Sequence, residues 1–258
     1  MPQATTATTL TVDAVAPAAE AIRPPFDARA CAVELTERYA GLGGIRLLRP
    51  MIEREFPGRI AVVSSFGADS AVLLALVAQV DPATPVIFLE TGKHFPETLS
   101  YRDELTSRLG LRDVRSIRPE AARLERHDAE GALWRRDPDF CCHLRKVLPL
   151  KRALAGFDAW VTGRKRFQGA ARATLPPIEL DGTRVKINPL AGWSADQLEA
   201  GLEVAGLPRH PLVEDGYPSI GCEPCTKRPA PAAGPRSGRW AGRNKTECGI
   251  HWPGGEGI

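Results

Sequence analysis

The sequence predicts an α/β protein built on a mainly parallel, doubly wound sheet with a mobile C-terminal tail. Three observations carry that expectation. Short apolar, β-branched runs recur at intervals of roughly 25 to 45 residues with helix-forming stretches between them, the alternation that βαβ units require. Polar loops follow three of those runs, on the strand ends where such sheets bind ligands. Beyond Leu207 the alternation stops and Pro and Gly take over.

The first run, "RIAVVSS" (59–65), is read as a strand, turned at Gly67 into the helix former "ADSAVLLALVAQV". "PVIFLE" (85–90) is a second buried-type strand. "PETLSYRDELTSRLG" is its helix, with Pro96 pre-set at the start and Gly110 at the stop. "RDVRSIRP" (112–119) is a third strand, a helical stretch runs from about Cys142 to Ala155, and "FDAWVTG" (157–163) is a fourth strand. "TRVKINPL" reads as an edge strand. "SADQLEAGLEVAG" is a helix capped by Ser194 and stopped by Gly206.

Composition narrows the class. With 43% hydrophobic and 25% charged residues the chain is an ordinary globular protein, and no run approaches the roughly 18 apolar residues of a membrane span. A net charge of +3 is too small to indicate nucleic acid. The Ala/Thr/Pro-rich residues 1–25 have neither the basic and apolar blocks of a signal peptide nor the arginines of a transit peptide. They are expected to be a disordered leader on a cytoplasmic protein. The α/β body then covers 26–225 and the flexible tail 226–258. Six basic residues and no acidic one lie between Thr226 and Thr246, a run that serves as a solvated tail or as an anion clamp.

Six cysteines sit at 31, 141, 142, 222, 225 and 248. In a cytosolic chain metal or redox chemistry is a stronger expectation than a disulfide framework. "CCHLRK" and "GCEPCT" combine an adjacent pair with a Cys-x-x-Cys, which zinc, iron–sulfur clusters and dithiols all use. Neighbouring side chains on a helix diverge by about 100°. That strains two thiolates onto one zinc, whereas a [4Fe–4S] cluster offers each thiolate its own iron. Cys31, in a helical segment, reads as a packing residue. Cys248 stands among Gly, Arg and Pro with little to pack against.

The loops point to an oxyanion. "SSFGADS" (64–70) places hydroxyls and unpaired N–H groups at a helix start. It is close to the Ser-Gly-Gly-x-Asp-Ser loop of ATP pyrophosphatases of the PP-loop type, with Phe66 at the first Gly. "LETGKHFPET" and "VTGRKRFQGAAR" open on the same sheet edge, where Arg164, Lys165, Arg166 and Arg172 supply positive charge for phosphate or sulfate.

Taken in order, "SSFGADS", "TGKHFPET", "CCHLRK", "GYPSIGCEPCT", "RSGRW" and "KTECGIH" resemble the landmarks of assimilatory adenylyl-sulfate reductases. These form the iron–sulfur branch of the adenylyl-/phosphoadenylyl-sulfate reductase family. The resemblance runs from about Arg59 to His251, and it implies an adenine nucleotide alpha-hydrolase-like fold. It also implies that Cys141, Cys142, Cys222 and Cys225 ligate a [4Fe–4S] cluster and that Cys248 is the nucleophile. Ser64, Ser65, Phe66 and Gly67 would lie against the phosphate and ribose, and Leu89 and Thr91 would hold the adenosine with Gly163 and Arg172 nearby. Lys146 would reach between cluster and sulfate, Arg236 and Arg239 would clamp the phosphosulfate, and His251 would support it.

The implied reaction is reduction of adenylyl sulfate to sulfite and AMP in cysteine biosynthesis. Cys248 takes the sulfonate as S-sulfocysteine, and thioredoxin, or a glutaredoxin-like dithiol, then expels sulfite. The implied partners are that dithiol protein and the sulfonucleotide, with no nucleic acid and no membrane; the sequence leaves both a monomer and a homo-oligomer open. The alternatives are reduction of the 3′-phosphorylated nucleotide, a PP-loop enzyme that thiolates tRNA, and a zinc-stabilised nucleic-acid-binding module.

Overall fold

The computed structural model describes residues 26–230 and 233–251. The leader expected over 1–25 and the last residues of the tail lie outside them. In chain order the strands are β1 (Ile60–Val63), β2 (Val86–Leu89), β3 (Val114–Ile117), β4 (Ala159–Thr162), β5 (Ile178–Asp181) and β6 (Arg184–Ile187). They form one sheet in the order β3-β2-β1-β4-β6-β5, parallel except for the β5–β6 pair. The helices are α1 (Ala28–Arg38), α2 (Gly44–Pro50), α3 (Ser70–Val80), α4 (Pro96–Arg108), α5 (Ala121–Asp128), α6 (Leu133–Arg136), α7 (Pro138–Cys142), α8 (Leu148–Ala153), α9 (Ala195–Val204) and α10 (Pro211–Glu214).

The period-2 alternation of a strand divides the core in two. Ile60, Val62, Val86, Phe88, Ala159 and Val161 face one cluster, which α1 to α4 and α9 fill with residues such as Leu35, Leu48, Leu74, Tyr101 and Leu198. Ala61, Val63, Ile87, Leu89 and Trp160 face the other, covered by Leu150 of α8, by Leu154 and, from the tail, by Ile250. Every residue of β1, β2 and β4 is buried. Two-sided burial is why these strands read as unbroken apolar runs.

The expected edge strand sits inside the sheet. β6 lies between β4 and the antiparallel β5, which is the true edge. Gly182, at φ +60°, turns the chain between them, and the Asp181-Gly182 step is a hairpin signal that sequence reading passed over. Lys186 stands in the middle of β6. Its ammonium is buried, 4.7 Å from the centre of the Trp160 ring and 3.5 Å from an Asp181 oxygen.

The helix expected from Cys142 begins earlier, at Pro138, where Asp137 Oδ1 accepts the Phe140 N–H at 2.8 Å. A π-helical turn, His143–Val147, follows the paired cysteines and runs up to Pro149, whose ring and missing N–H disfavour a regular α-helical ladder. Sequence reading gave no helix between β3 and Pro138, because the surface of α5 is largely charged and exposed. Among the described residues no helix is long and apolar enough to cross a membrane.

His210 ties the segment after α9 to α4. Its Nδ1 accepts the Leu212 N–H at 3.2 Å, so Nε2 carries the proton and donates to Thr98 Oγ1 at 3.0 Å. Burial pushes its pKa down to about 4. A histidine lowered in the folded state is protonated first in the unfolded chain, so its contribution is complete above the unfolded value near 6.5 and is lost as pH falls toward 4. The expected slope from this residue is up to about 1.4 kcal/mol per pH unit in that window. Urea midpoints at pH 7 and pH 5 should therefore drop less in His210→Gln than in the parent; an equal drop would remove His210 as a source of acid sensitivity.

Candidate functional site

The chain runs from β1 outward to β2 and β3, then returns to place β4 on the other side of β1. That reversal opens a crevice at the carboxyl ends of β1 and β4, the switch point where open α/β sheets bind ligands. Ser64, Ser65 and Gly67 line it after β1, Leu89 at the end of β2, and Gly163 with Arg172 after β4. The N-terminus of α3, which has no side-chain cap, opens beside it, with Asp69 on its wall. Unpaired N–H groups there favour an anion.

The first loop is shaped by packing as much as by its ligand face. Ser64 Oγ accepts the Phe66 N–H at 3.2 Å, and Phe66 takes the left-handed conformation at φ +48°. Its ring is fully buried, edge-on to Phe88 with centroids 5.6 Å apart. The expectation that Phe66 lies against the phosphate and ribose therefore fails for its side chain, which anchors the loop from beneath. A Cβ on Gly67 would stand 3.2 Å from the Ile220 carbonyl oxygen and 3.3 Å from Ser65 Oγ. Two chain segments thus approach closely at this glycine, and a larger residue would require the Ile220 carbonyl or Ser65 to give by a few tenths of an ångström. Thr91 is also fully buried and off the crevice wall; its hydroxyl lies 3.4 Å from Cys222 Sγ.

The tail supplies the opposite wall. Thr226 and Arg239 pair as an isolated antiparallel bridge, Lys227 N–H donates to Gly238 O at 2.9 Å, and Trp240 N–H to Cys225 O at 3.0 Å. Trp240 is buried, and His251 lies parallel to the Trp160 ring at 6.0 Å. Lys245 pairs with Asp139 of α7, and Arg243 donates to the Arg135 carbonyl. Cys248, which the sequence places on an unpacked tail, is half-buried and faces the crevice with Arg236, Arg239 and His251.

Six cations line this space, Lys146, Arg164, Lys165, Arg172, Arg236 and Arg239, against two carboxylates, Asp69 and Glu247. Arg166, expected with them, is exposed and donates to the Leu175 carbonyl. Burial and the neighbouring Arg172 push Arg236 down to about 10. Burial, with Arg164 and Lys186, keeps His251 well below the ordinary imidazole value. Arg239 Nε and His251 Nδ1 are buried without a partner among the described residues. Such groups are costly unless a ligand satisfies them. Excess cation and orphaned polar groups together describe a site for a multiply charged anion.

Beside Lys146 lie Cys142, Cys222 and Cys225, with Cys141 next in the chain. Cys141, Cys142 and Cys222 are buried and Cys225 half-buried, and all are free thiols. Burial pushes Cys141 up to about 11 and Cys142 to about 12. Cys222 goes the other way. Burial opposes its ionisation, but Lys146, the Thr91 hydroxyl and Arg239 hold it below the usual thiol value. Lys146 is correspondingly raised: burial opposes its charge, and Cys222, Cys248 and Cys142 outweigh that. Among the described residues no three His, Cys, Asp or Glu side chains converge as for a single metal ion. The donor chemistry, four thiols from two segments with Lys146 beside Cys142, Cys222 and Cys225, fits a group that takes a separate thiolate at each corner.

Sequence reading missed the inner polar frame. Lys165 Nζ lies 3.1 Å from Asp69 Oδ2, Gln168 donates to the same oxygen at 2.8 Å, and Arg164 pairs with Glu179. It also gave no role to Glu247, whose only signal was its place beside Cys248.

The phosphoadenosine phosphosulfate reductase domain matches residues 59–228, which include the strand-end loops of the crevice and Cys141, Cys142, Cys222 and Cys225 but not the tail wall. The chain belongs to the phosphoadenosine phosphosulfate reductase family. It is 48% identical over 235 residues to the adenosine 5′-phosphosulfate reductase of Chelativorans sp. (strain BNC1), covering 91% of this chain and 96% of that protein. Identity to the adenosine 5′-phosphosulfate reductase of Mesorhizobium japonicum is 50% over 223 residues, covering 86% and 88%. The fold is similar to that of a phosphoadenylyl-sulfate reductase from Candida auris in a phosphate complex, with a TM-score of 0.66 and 25% identity over 78% of this chain and 98% of that one. Candida glabrata FMN adenylyltransferase shares the fold at a TM-score of 0.50 and 16% identity, over 82% of this chain and 80% of that one.

In this family member the tail wall depends on one close approach. A Cβ on Gly238 would overlap the carbonyl oxygen of Lys227. Gly238→Ala should break the 226–239 bridge, raising tryptic cleavage between Arg239 and Lys245 by on the order of tenfold while the far-UV spectrum of the body is kept. Unchanged cleavage would show that the bridge does not hold the tail.

Proposed function

We propose that this chain reduces adenylyl sulfate to sulfite and AMP, taking both electrons from a thioredoxin-type or glutaredoxin-like dithiol in the cytoplasm. The observation that carries the reading is that Cys248 shares one crevice with Arg172, Arg236, Arg239 and Lys146. A thiolate and a phosphosulfate repel each other unless cations stand between them, and these four side chains supply the charge. The adenosine would lie along Ser64, Ser65, Gly67, Leu89 and Gly163, with the phosphosulfate directed at Arg236 and Arg239 and supported by His251. Thr91 acts from behind, through Cys222.

In the first step the Cys248 thiolate attacks the sulfate sulfur. An S–S bond forms, the bridging S–O bond breaks with its electron pair passing to the phosphate, and AMP leaves. S-sulfocysteine remains on Cys248. In the second step one thiolate of the dithiol attacks Cys248 Sγ and sulfite departs with the bonding pair. The second thiol of the partner then frees Cys248 and closes the partner's disulfide. This sequence requires Cys248 to meet first the nucleotide and then a protein, so the tail must open between steps.

Cys141, Cys142, Cys222 and Cys225 would hold a [4Fe–4S] cluster, which supplies structure and a local field near the sulfate end rather than electrons. Lys146, flanked by Cys142, Cys222 and Cys248, would couple that field to the bound anion.

Cys248→Ser should bind AMP as the parent does yet lose sulfite release by on the order of 10³-fold or more; retained turnover would overturn the nucleophile assignment. Competition between the two sulfonucleotides tests the substrate. A tenfold or greater preference for the 3′-phosphorylated form, expressed as kcat/KM, would replace adenylyl sulfate with that nucleotide.

Protein purified without oxygen should be brown and carry iron, and Cys222→Ser should lose both colour and iron. A colourless parent protein with stoichiometric zinc would reject the cluster.

A further inference from the structure

The residue before Cys248 occupies the place a substrate anion needs. Glu247 accepts two hydrogen bonds from Arg172, Nε to Oε1 at 2.6 Å and Nη2 to Oε2 at 2.8 Å. Arg236 Nη2 lies 3.4 Å from Oε2 and donates to the Thr246 carbonyl at 2.9 Å. The side chains are largely withdrawn from water, with 13% of Glu247 and 9% of Arg172 exposed. Burial works against the carboxylate, but Arg172 and Arg236 hold it below the usual glutamate range. All three residues line the crevice.

Two guanidinium groups around one anion is the chemistry that recognises phosphate and sulfate. Here the anion belongs to the tail. We propose that Glu247 is an internal anion that fills the Arg172–Arg236 subsite when no nucleotide is bound, and that the phosphate or sulfate of the substrate displaces it. This deepens the adenylyl-sulfate reading and rests on it for the identity of the incoming anion.

Three features support exchange over permanent pairing. Arg172 reaches the crevice from the loop after β4, whereas Glu247 comes from the tail, so the pair joins two segments that the two-step chemistry must separate. Arg172 also keeps a bond to Gln168 Oε1 at 2.6 Å through Nη1, which fixes the guanidinium after Glu247 leaves. Arg236 Nη2 also donates to the Thr246 carbonyl, its shorter contact, and that bond can persist when the carboxylate leaves, so the tail stays tethered beside the site while the anions exchange. Binding of the substrate's anion frees the Glu247 carboxylate while the Arg236–Thr246 bond keeps Cys248 at the crevice for the first step. Glu247 returns to the arginines when the tail closes again on an empty anion site.

The test compares parent and Glu247→Gln by calorimetric titration with inorganic sulfate, AMP and adenosine. The glutamine keeps the shape and removes the charge. Sulfate and AMP should each bind on the order of fivefold more tightly to the variant, the factor expected when one half-buried ionic competitor is lost. Adenosine carries no anion and should bind both proteins equally. Unchanged or weaker sulfate binding by the variant would overturn the proposal, since Glu247 would then be orienting the arginines rather than competing for them. An equal gain for adenosine would also overturn it, because the tail as a whole, not the anion subsite, would be the barrier. If sulfate responds as expected and the parent fails to bind AMP, the nucleotide reading falls and the internal anion stands. Urea midpoints of the two proteins confirm that both are folded during the titrations.

Discussion

Six cations converge on one crevice, and their mutual repulsion is the constraint around which the neighbouring structure is arranged. Four of them are placed where a carboxylate offsets part of the cost. Lys165 leans on Asp69, Arg164 on Glu179, and Arg172 with Arg236 on Glu247. The residual strain is visible in Arg236, pushed down to about 10, and in His251, kept neutral by burial and the surrounding charge. Burying unpaired charge is expensive, so a site this cationic is stable only with an anion in it. In the proposed cycle that anion is either the substrate or the tail.

The tail owes its position to the sheet. On the face of β1, β2 and β4 that carries Ala61, Ile87 and Trp160, the helical residues of the apolar cluster come from α8. Ile250 packs onto that face and His251 lies over Trp160. These contacts bring Cys248 to the end of β1 and β4. They involve Ile250 and His251, which suits a segment that opens as proposed. Trp240 and the 226–239 bridge fix the other end of the same segment next to Cys225.

The thiol cluster and the crevice meet at Lys146. The π-helical turn before Pro149 follows directly on Cys141 and Cys142 and carries Lys146. Arg145, in the same turn, donates to the Thr91 carbonyl at 2.7 Å and to Asp128 at 2.5 Å. Thr91 in turn contacts Cys222. The loop after β2, the paired cysteines and the Cys-x-x-Cys segment are therefore one braced unit, so movement in any of them is felt at the ammonium facing the proposed sulfate position.

Local chemistry determined much of this by sequence alone. Runs such as "IAVV", "VIFL" and "AWVT" are apolar because both faces are buried, and Pro96, Ser194 and Gly206 mark helix ends because their backbone and side-chain chemistry acts within a few residues. The crevice was legible for the same reason, since its loops follow strands that must be parallel. Tertiary structure decided what depends on distant partners. Phe66 turns into the core because Phe88 lies beneath it, and Lys186 is buried because Trp160 and Asp181 receive its charge. Cys248 is half-buried because β-sheet surface remained to be covered. Glu247 is an anion partner only because Arg172, 75 residues earlier in the chain, faces it across the crevice. Burial and charge pairing at that range are properties of the folded surface, and no spacing along the chain encodes them.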